Sequence, residues 1–344
     1  MKAMVLTGFR QIKITDRKAP VIANPDEVLI KMTSVGVCGS DVHYYRNGRI
    51  GSQVVEYPFT VGHEGAGIIE AVGPAVHSLK PGDRVAIDPA MPCHECDQCK
   101  KKRFHTCRKL KFLGCPGQAE GCLAEYLVMP AGSCIRIPDN MTLDQAALSE
   151  PLAIGMYAVH LAGEMRGKKV GILGSGPIGI SVMLAAKAEG CSVVYMTDKI
   201  EPRLHLARQM GAGWTGNPDK IDIVDEIKKS EPFNLDIVFE CCGQQEAADQ
   251  AVKLLCPGGK LMVVGIPTFD RWSYDVDDTR RREITIQNVR RQNEMAEKTI
   301  EYIASGRIIP DKMQTHDFSF SQVAEAFELV DAYRDGVMKA MIHF

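Results

Sequence analysis

No stretch of this sequence stays apolar long enough to cross a bilayer. A spanning helix needs about 18 or more consecutive apolar residues, and charge, Gly or Pro interrupts every apolar run well before that. Membrane insertion is therefore not expected. An excess of one charge is also missing: 41 Lys and Arg stand against 43 Asp and Glu, for a net charge of -2. Without a broad cationic surface there is no electrostatic footprint for a nucleic-acid partner. The one dense basic run, Lys100 to Arg103, falls inside a Cys-rich segment and reads as a solvated loop face. Nor is an export signal expected, because Arg10 follows Met1 too closely to leave room for a signal-peptide apolar core, and the start reads as a first strand. The twelve Cys are accordingly expected to be reduced thiols in the cytosol, with any clustered subset binding metal rather than forming disulfides. Internal repeats and low-complexity segments are lacking too.

What remains is ordinary globular composition, 45% hydrophobic and 24% charged. At 344 residues the chain exceeds the size at which one core usually stops growing, so two domains are expected. Residues 1–150 show short β-like runs punctuated by Gly and Pro, such as Glu27 to Met32, Gly67 to Val72 and Arg84 to Asp88. Over residues 151–290 the texture changes to apolar runs alternating with helical periodicity, the signature of a parallel sheet. It begins with a helix-like stretch, Leu152 to Leu161, and includes strands expected at Leu235 to Glu240 and Lys260 to Gly265. Residues 291–344 add an amphipathic helix, Ser321 to Tyr333, and an apolar tail, Val337 to Phe344, expected to return to the first domain. The fold class is thus α/β: a doubly wound parallel sheet joined to a mostly β domain.

Three groups of residues carry chemistry. Gly174-Ser175-Gly176-Pro177-Ile178-Gly179 lies between an expected strand, Val170 to Leu173, and an expected helix, the context in which a GxGxxG pattern reads as a dinucleotide turn. Its first Gly makes the tight turn, its second lets backbone approach a pyrophosphate, and its third packs helix on strand. Asp198, nineteen residues beyond Gly179, is placed to accept hydrogen bonds from a ribose and to repel a 2′-phosphate, which favours NAD. The nearby cations Lys199 and Arg203 counter part of that repulsion, and Arg203 joins the expected cofactor-binding residues. Cys93, Cys96, Cys99 and Cys107 form CxxCxxCx7C, enough thiolates to close one tetrahedral structural zinc shell. A dispersed third set comprises Cys38, His63 with Glu64, and Glu150. One Cys, one His and one carboxylate leave a metal position open for substrate.

Taken together, these pieces resemble the zinc-containing medium-chain alcohol dehydrogenase family over essentially the whole chain. The segments Cys38-Gly39-Ser40-Asp41-Val42-His43-Tyr44, Gly48-Arg49-Ile50-Gly51, Gly62-His63-Glu64, Ile137-Pro138-Asp139-Asn140 and Glu150-Pro151 look most like its sorbitol (polyol) dehydrogenases. The resemblance implies a GroES-like β domain plus a Rossmann domain. It implies Cys38 and His63 as catalytic-zinc ligands with Glu64, and Glu150 beside them, ligating directly or through water; the third ligand is left open between the two carboxylates. It further implies that Asp41 orients His63, that Ser40 and His43 relay the substrate proton, and that Tyr44 lines the substrate pocket. Gly265 and Ile266 would border the nicotinamide. Arg290 matches an Arg-Tyr pair of the polyol enzymes, whereas Arg291 departs from it, which keeps a sugar-acid substrate open beside a polyol. The expected reaction is oxidation of a secondary alcohol, with zinc as Lewis acid and hydride passing to NAD. The rivals are a threonine or 2,3-butanediol-type dehydrogenase and a non-catalytic protein that kept the fold. A homodimer or homotetramer acting on a small molecule is implied.

Overall fold

The computed structural model describes residues 1–344. The chain forms two units, Met1–Glu150 with Ala296–Gly306 and Gln314–Phe344, and Pro151–Met295 with Arg307–Met313. In chain order the first unit contributes β1 (Lys2–Gly8), β2 (Gln11–Asp16), β3 (Glu27–Gly36), α1 (Gly39–Asn47), β4 (Glu64–Val72), β5 (Arg84–Ile87), β6 (Tyr126–Pro130) and β7 (Cys134–Arg136). A long helix, α2 (Leu143–Ala162), follows. The second unit holds β8 (Lys169–Leu173), α3 (Pro177–Ala188), β9 (Val193–Thr197), α4 (Glu201–Gln209), β10 (Trp214–Gly216), α5 (Ile223–Ser230), β11 (Leu235–Glu240), α6 (Gln245–Leu254), β12 (Leu255–Val263) and β13 (Thr285–Asn288). The chain then returns to the first unit with α7 (Ala296–Ala304), β14 (Gln314–Ser319), α8 (Val323–Asp331) and β15 (Lys339–His343).

The first unit is organised around β3. Its sheet runs β7-β5-β4-β3-β15-β14, and β6 also pairs with β3. On one side β3 meets β4 along most of its length; on the other it is shared, Glu27 to Lys31 pairing with β6 and Ser34 to Gly36 with β15. Burial follows this division. Side chains alternate between buried and less buried through Thr33, as a strand with one covered face must, and Ser34, Val35 and Gly36 are then all buried. The core beneath includes Met4, Leu6, Ile30, Val35, Ile69, Phe327 and Ile342. The apolar tail thus returns to the first unit as the strand β15, antiparallel to β3.

The second unit is a parallel sheet ordered β10-β9-β8-β11-β12-β13. Numbered within the unit this is 3-2-1-4-5-6, the doubly wound Rossmann order, with its switch point between β8 and β11. In the strand β8 the four residues after Lys169, Val-Gly-Ile-Leu, form a buried apolar run, as a strand covered on both faces requires. The helix α3 is buried from Gly179 through Ala186, and apolar residues occupy its whole circumference rather than one stripe.

Two element starts differ most from those the sequence suggests. The helix expected at Leu152 begins at Leu143 and runs through Pro151. Thr142 Oγ1 accepts the Gln145 backbone N–H at 3.1 Å, and Gln145 Oε1 accepts that of Thr142 at 3.0 Å. This reciprocal cap nucleates the helix upstream of the proline. The strand β12 begins at Leu255 rather than Lys260, because Leu255 already pairs with Leu235 before a register shift at Pro257-Gly258-Gly259. Gly258, at φ +76°, takes the turn there.

Candidate functional site

The first group forms where β3 ends and α1 and β4 begin. Cys38 is the N-cap of α1, and Asp41, three residues on, returns its Oδ2 to the Cys38 backbone N–H at 3.2 Å. Asp41 Oδ1 accepts the Gly62 N–H at 3.1 Å and lies 3.4 Å from His63 Nδ1. One fully buried carboxylate therefore holds both the Cys38 turn and the His63 ring. Ser40 Oγ donates to Cys38 Sγ at 3.3 Å. Cys38, His63 and Glu64 bring one ligand atom each to within 4.8 Å of one another. The main chain of β3 makes room for this: a Cβ at Gly36, which pairs with Glu64, would overlap the Glu64 carboxylate.

Glu150, on α2, is buried, and its Oε2 has no hydrogen-bond partner. Burial pushes the Glu150 carboxyl up to about 7; the His63 charge opposes the rise and the Glu64 charge adds to it. His63 is pulled down by burial, yet the neighbouring Asp41 and Cys38 charges outweigh this and leave it well above its ordinary value. A cysteine sulfur, an imidazole and a carboxylate within 4.8 Å of one another, with a second buried carboxyl close enough to feel the His63 and Glu64 charges, are a donor set that zinc takes.

Sequence reasoning missed Lys339. It sits on β15 with 1% exposure, its Nζ 2.6 and 2.8 Å from the Glu64 oxygens and 3.3 Å from the Val37 carbonyl. Burial lowers its pKa, but the Glu64 and Cys38 charges outweigh this and raise it, so the ammonium stays charged. The available signal was a lone Lys inside an apolar tail that had to become a core strand, since a buried cation demands a partner.

The other implied first-unit residues lie on α1. Tyr44 is buried, its hydroxyl donating to Gln53 Oε1 at 3.1 Å. His43 is half-buried, and burial together with the Arg46 charge holds its pKa below the usual value.

Cys93, Cys96, Cys99 and Cys107 gather with their Sγ atoms within 4.8 Å of one another. The separations include 3.6 Å for Cys96 to Cys99 and 3.4 Å for Cys93 to Cys107. Backbone N–H groups point at the sulfurs: Arg108 at Cys96 (3.5 Å), Cys93 and Lys109 at Cys107 (3.3 and 3.4 Å). The Arg108 and Cys99 N–H groups hold the Cys96 thiol down to about 6, favouring the thiolate a metal requires.

In the second unit, Gly174 adopts φ +104°, where a side chain would be strained. A Cβ at Gly179 would overlap the Gly174 carbonyl, whereas at Gly176 the nearest atom is Arg203 Nη1 at 3.5 Å. This open backbone cradle at the N-terminus of α3 suits a pyrophosphate. Asp198 accepts the Ser175 and Ile200 N–H groups at 2.8 and 2.9 Å, which ties the end of β9 to the turn. Gly265 and Ile266 follow β12, with Ile266 56% exposed, and Arg290 is exposed beyond β13.

Residues 24–139 match the alcohol dehydrogenase GroES-like domain, and residues 177–305 match the zinc-binding dehydrogenase domain. A sorbitol dehydrogenase of Bacillus subtilis is 38% identical over 344 residues, 100% of this chain and 97% of its own. Among solved structures, an Escherichia coli oxidoreductase/dehydrogenase of unknown specificity superposes with a TM-score of 0.94 at 36% identity, covering 99% of this chain and 98% of its own. Another, an alcohol dehydrogenase from Escherichia coli complexed with NADH, does so at 0.92 and 28%, covering 100% and 99%. Fold, donor sets and likenesses define an oxidoreductase acting on CH–OH groups with zinc and a nicotinamide cofactor. The chain belongs to the zinc-containing medium-chain alcohol dehydrogenase family, close to the sorbitol dehydrogenases.

Proposed function

We propose that this enzyme oxidises a secondary hydroxyl of a polyol or sugar-type alcohol with NAD, using Cys38, His63 and Glu64 to hold its catalytic zinc. The observation that carries this reading is the convergence of those three side chains within 4.8 Å, with the buried Glu150 carboxyl close enough to feel the His63 and Glu64 charges. When bound, zinc supplies the Lewis acidity that lowers the pKa of an alcohol hydroxyl, and NAD supplies the hydride acceptor. Asp41 fixes the His63 ring so that its other nitrogen faces the metal position. Ser40 takes the substrate proton as its own hydroxyl proton passes on to His43, which is neutral at pH 7 because its pKa is lowered and so can accept it for release. Tyr44 bounds the substrate position, and Arg290 is assigned to substrate binding. Glu150 stands as a second carboxylate available to the metal. Cys93, Cys96, Cys99 and Cys107 hold a structural zinc with no part in the reaction.

Gly174, Gly176, Pro177, Ile178 and Gly179 form the pyrophosphate turn, Asp198 and Arg203 hold the adenosine ribose side, and Gly265 and Ile266 border the nicotinamide. NAD is favoured over NADP because Lys199 is engaged by carboxylates, 2.8 Å from Asp219 and 3.6 Å from Glu246, rather than free for a 2′-phosphate. We place the enzyme in the cytosol as a homodimer or homotetramer; light scattering on the purified protein tests the assembly, and a monomer would refute it.

The direct test is turnover by zinc-loaded protein with NAD or NADP across sorbitol, xylitol, inositol, sugar acids, threonine and 2,3-butanediol. The expected result is polyol oxidation with NAD, abolished by Cys38→Ser. Activity confined to a sugar acid would instead favour the reading in which Arg291 recognises a carboxylate.

A further inference from the structure

Glu240 is the last residue of β11 and is completely buried, with no Lys, Arg or His bonded to it. Its Oε1 instead accepts the backbone N–H groups of Cys242 (2.9 Å), Gly243 (2.6 Å) and Gln244 (3.3 Å), together with the Cys242 thiol at 3.1 Å. Burial and the Glu240 charge push that thiol up, so it remains a donor. The three N–H groups lead directly into α6, and such a nest at a helix N-terminus holds one carboxylate oxygen without a cation.

The position matters more than the bonds alone. Glu240 pairs with Leu173 across the switch point of the sheet, where doubly wound folds take their dinucleotide. The loop it holds is wedged between two backbones. At Gly174, the first Gly of the phosphate turn, a Cβ would lie 3.0 Å from Cys242 Cβ and 3.1 Å from Cys242 N. At Gly243, with φ +69°, a Cβ would overlap the Ile266 carbonyl. The Glu240 carbonyl accepts the Val264 and Gly265 N–H groups, both at 2.9 Å. Its remaining oxygen, Oε2, is buried without a partner and sits 2.6 Å from where a Gly265 Cβ would be. One side chain thus fixes the spacing between the turn at Gly174 and the segment at Gly265 and Ile266.

Resting on the nicotinamide reading above, we propose that Glu240 is a positioning residue for the cofactor: its carboxylate pre-forms the Cys242–Gln244 loop and so sets the gap between the phosphate turn and Gly265. It acts through backbone and touches neither the alcohol nor the metal ligands.

The test uses the zinc-loaded full-length protein and NADH fluorescence without alcohol, alongside steady-state kinetics. Glu240→Gln keeps the shape and removes the charge, so NADH should bind about tenfold more weakly and KM for NAD should rise in step. KM for the alcohol at saturating NAD and the zinc content should stay as in the wild type. Unchanged NADH affinity in Glu240→Gln overturns the proposal, since a merely structural role would lower the melting temperature and leave the affinity of the folded fraction intact. Should the variant not fold, hydrogen exchange on the wild type decides: the Cys242, Gly243 and Gln244 amides should be protected before NADH is added, and exchange as fast as an open loop overturns the proposal. A wild-type chain that binds no NADH overturns the nicotinamide reading and the proposal with it.

Discussion

Lys339 and Glu64 form a pair whose side chains are 1% and 2% exposed, so each charge depends on the other. Replacing Lys339 by Met leaves a buried carboxylate without its cation, and the cost of breaking such a pair is about 3–5 kcal/mol. Urea unfolding should show a loss of that order, largely recovered in the double variant Glu64→Gln/Lys339→Met; a double variant no more stable than the single one would refute the pairing. Glu150 makes a different prediction. Its carboxyl is raised to about 7 in the fold against roughly 4.3 when unfolded. Between those values the folded chain keeps a proton that the unfolded chain has lost, so zinc-stripped protein should lose stability as pH rises through that window. Glu150→Gln removes this loss: its melting temperature should exceed that of the stripped wild type at pH 8, with the difference shrinking toward pH 5. A difference independent of pH would count against it. Cys38, His63 and Glu64 were legible in the sequence through their flanking motifs. Lys339 was not, because its partner lies 275 residues away and no local pattern joins them.

Local chemistry dictates the elements that were easiest to read. The GxGxxG turn works through the backbone of six consecutive residues, and its requirements are visible as glycines. Gly179→Ala, which sets a Cβ against the Gly174 carbonyl, should cost about 1–3 kcal/mol through the forced backbone shift. NADH affinity should fall while zinc content is unchanged; equal affinity would show that the turn tolerates the methyl group. The four-thiol lobe is likewise local. Cys107→Ser should yield protein with about one zinc fewer per chain, and trypsin should cut the Lys100–Arg103 run faster than in the wild type. Cleavage at the wild-type rate would mean that the lobe does not depend on its metal. The onset of α2 was also written locally, in Thr142 and Gln145, but Pro151 obscured it: the proline suggested a helix start, whereas the reciprocal cap had already begun the helix nine residues earlier.

Each of the two units has its own apolar cluster, one gathering Met4, Ile30 and Phe327, the other Leu173, Val238 and Leu261. Calorimetry should therefore separate two contributions, with chelation lowering the one that belongs to the first unit and NADH raising the other. A single transition moved equally by both treatments would contradict this. The change in pattern near Pro151 made the second unit readable, since alternating strands and helices leave a strong periodic trace. The return of the tail, Val337 to Phe344, was expected from its apolar run, and Gln314–Phe344 does lie in the first unit; its pairing with β3 was not legible, because partners so distant along the chain leave no local pattern.

That return also sets an order of events during synthesis. The Cys93–Cys107 lobe spans a separation of 14 residues, so it can close as soon as it leaves the ribosome. The ammonium that neutralises Glu64 emerges 275 residues after its partner, a delay of roughly 14–55 s at the usual 5–20 residues per second. Throughout that interval the growing chain carries one finished four-thiol lobe and one nascent site whose carboxylate still awaits its counter-ion.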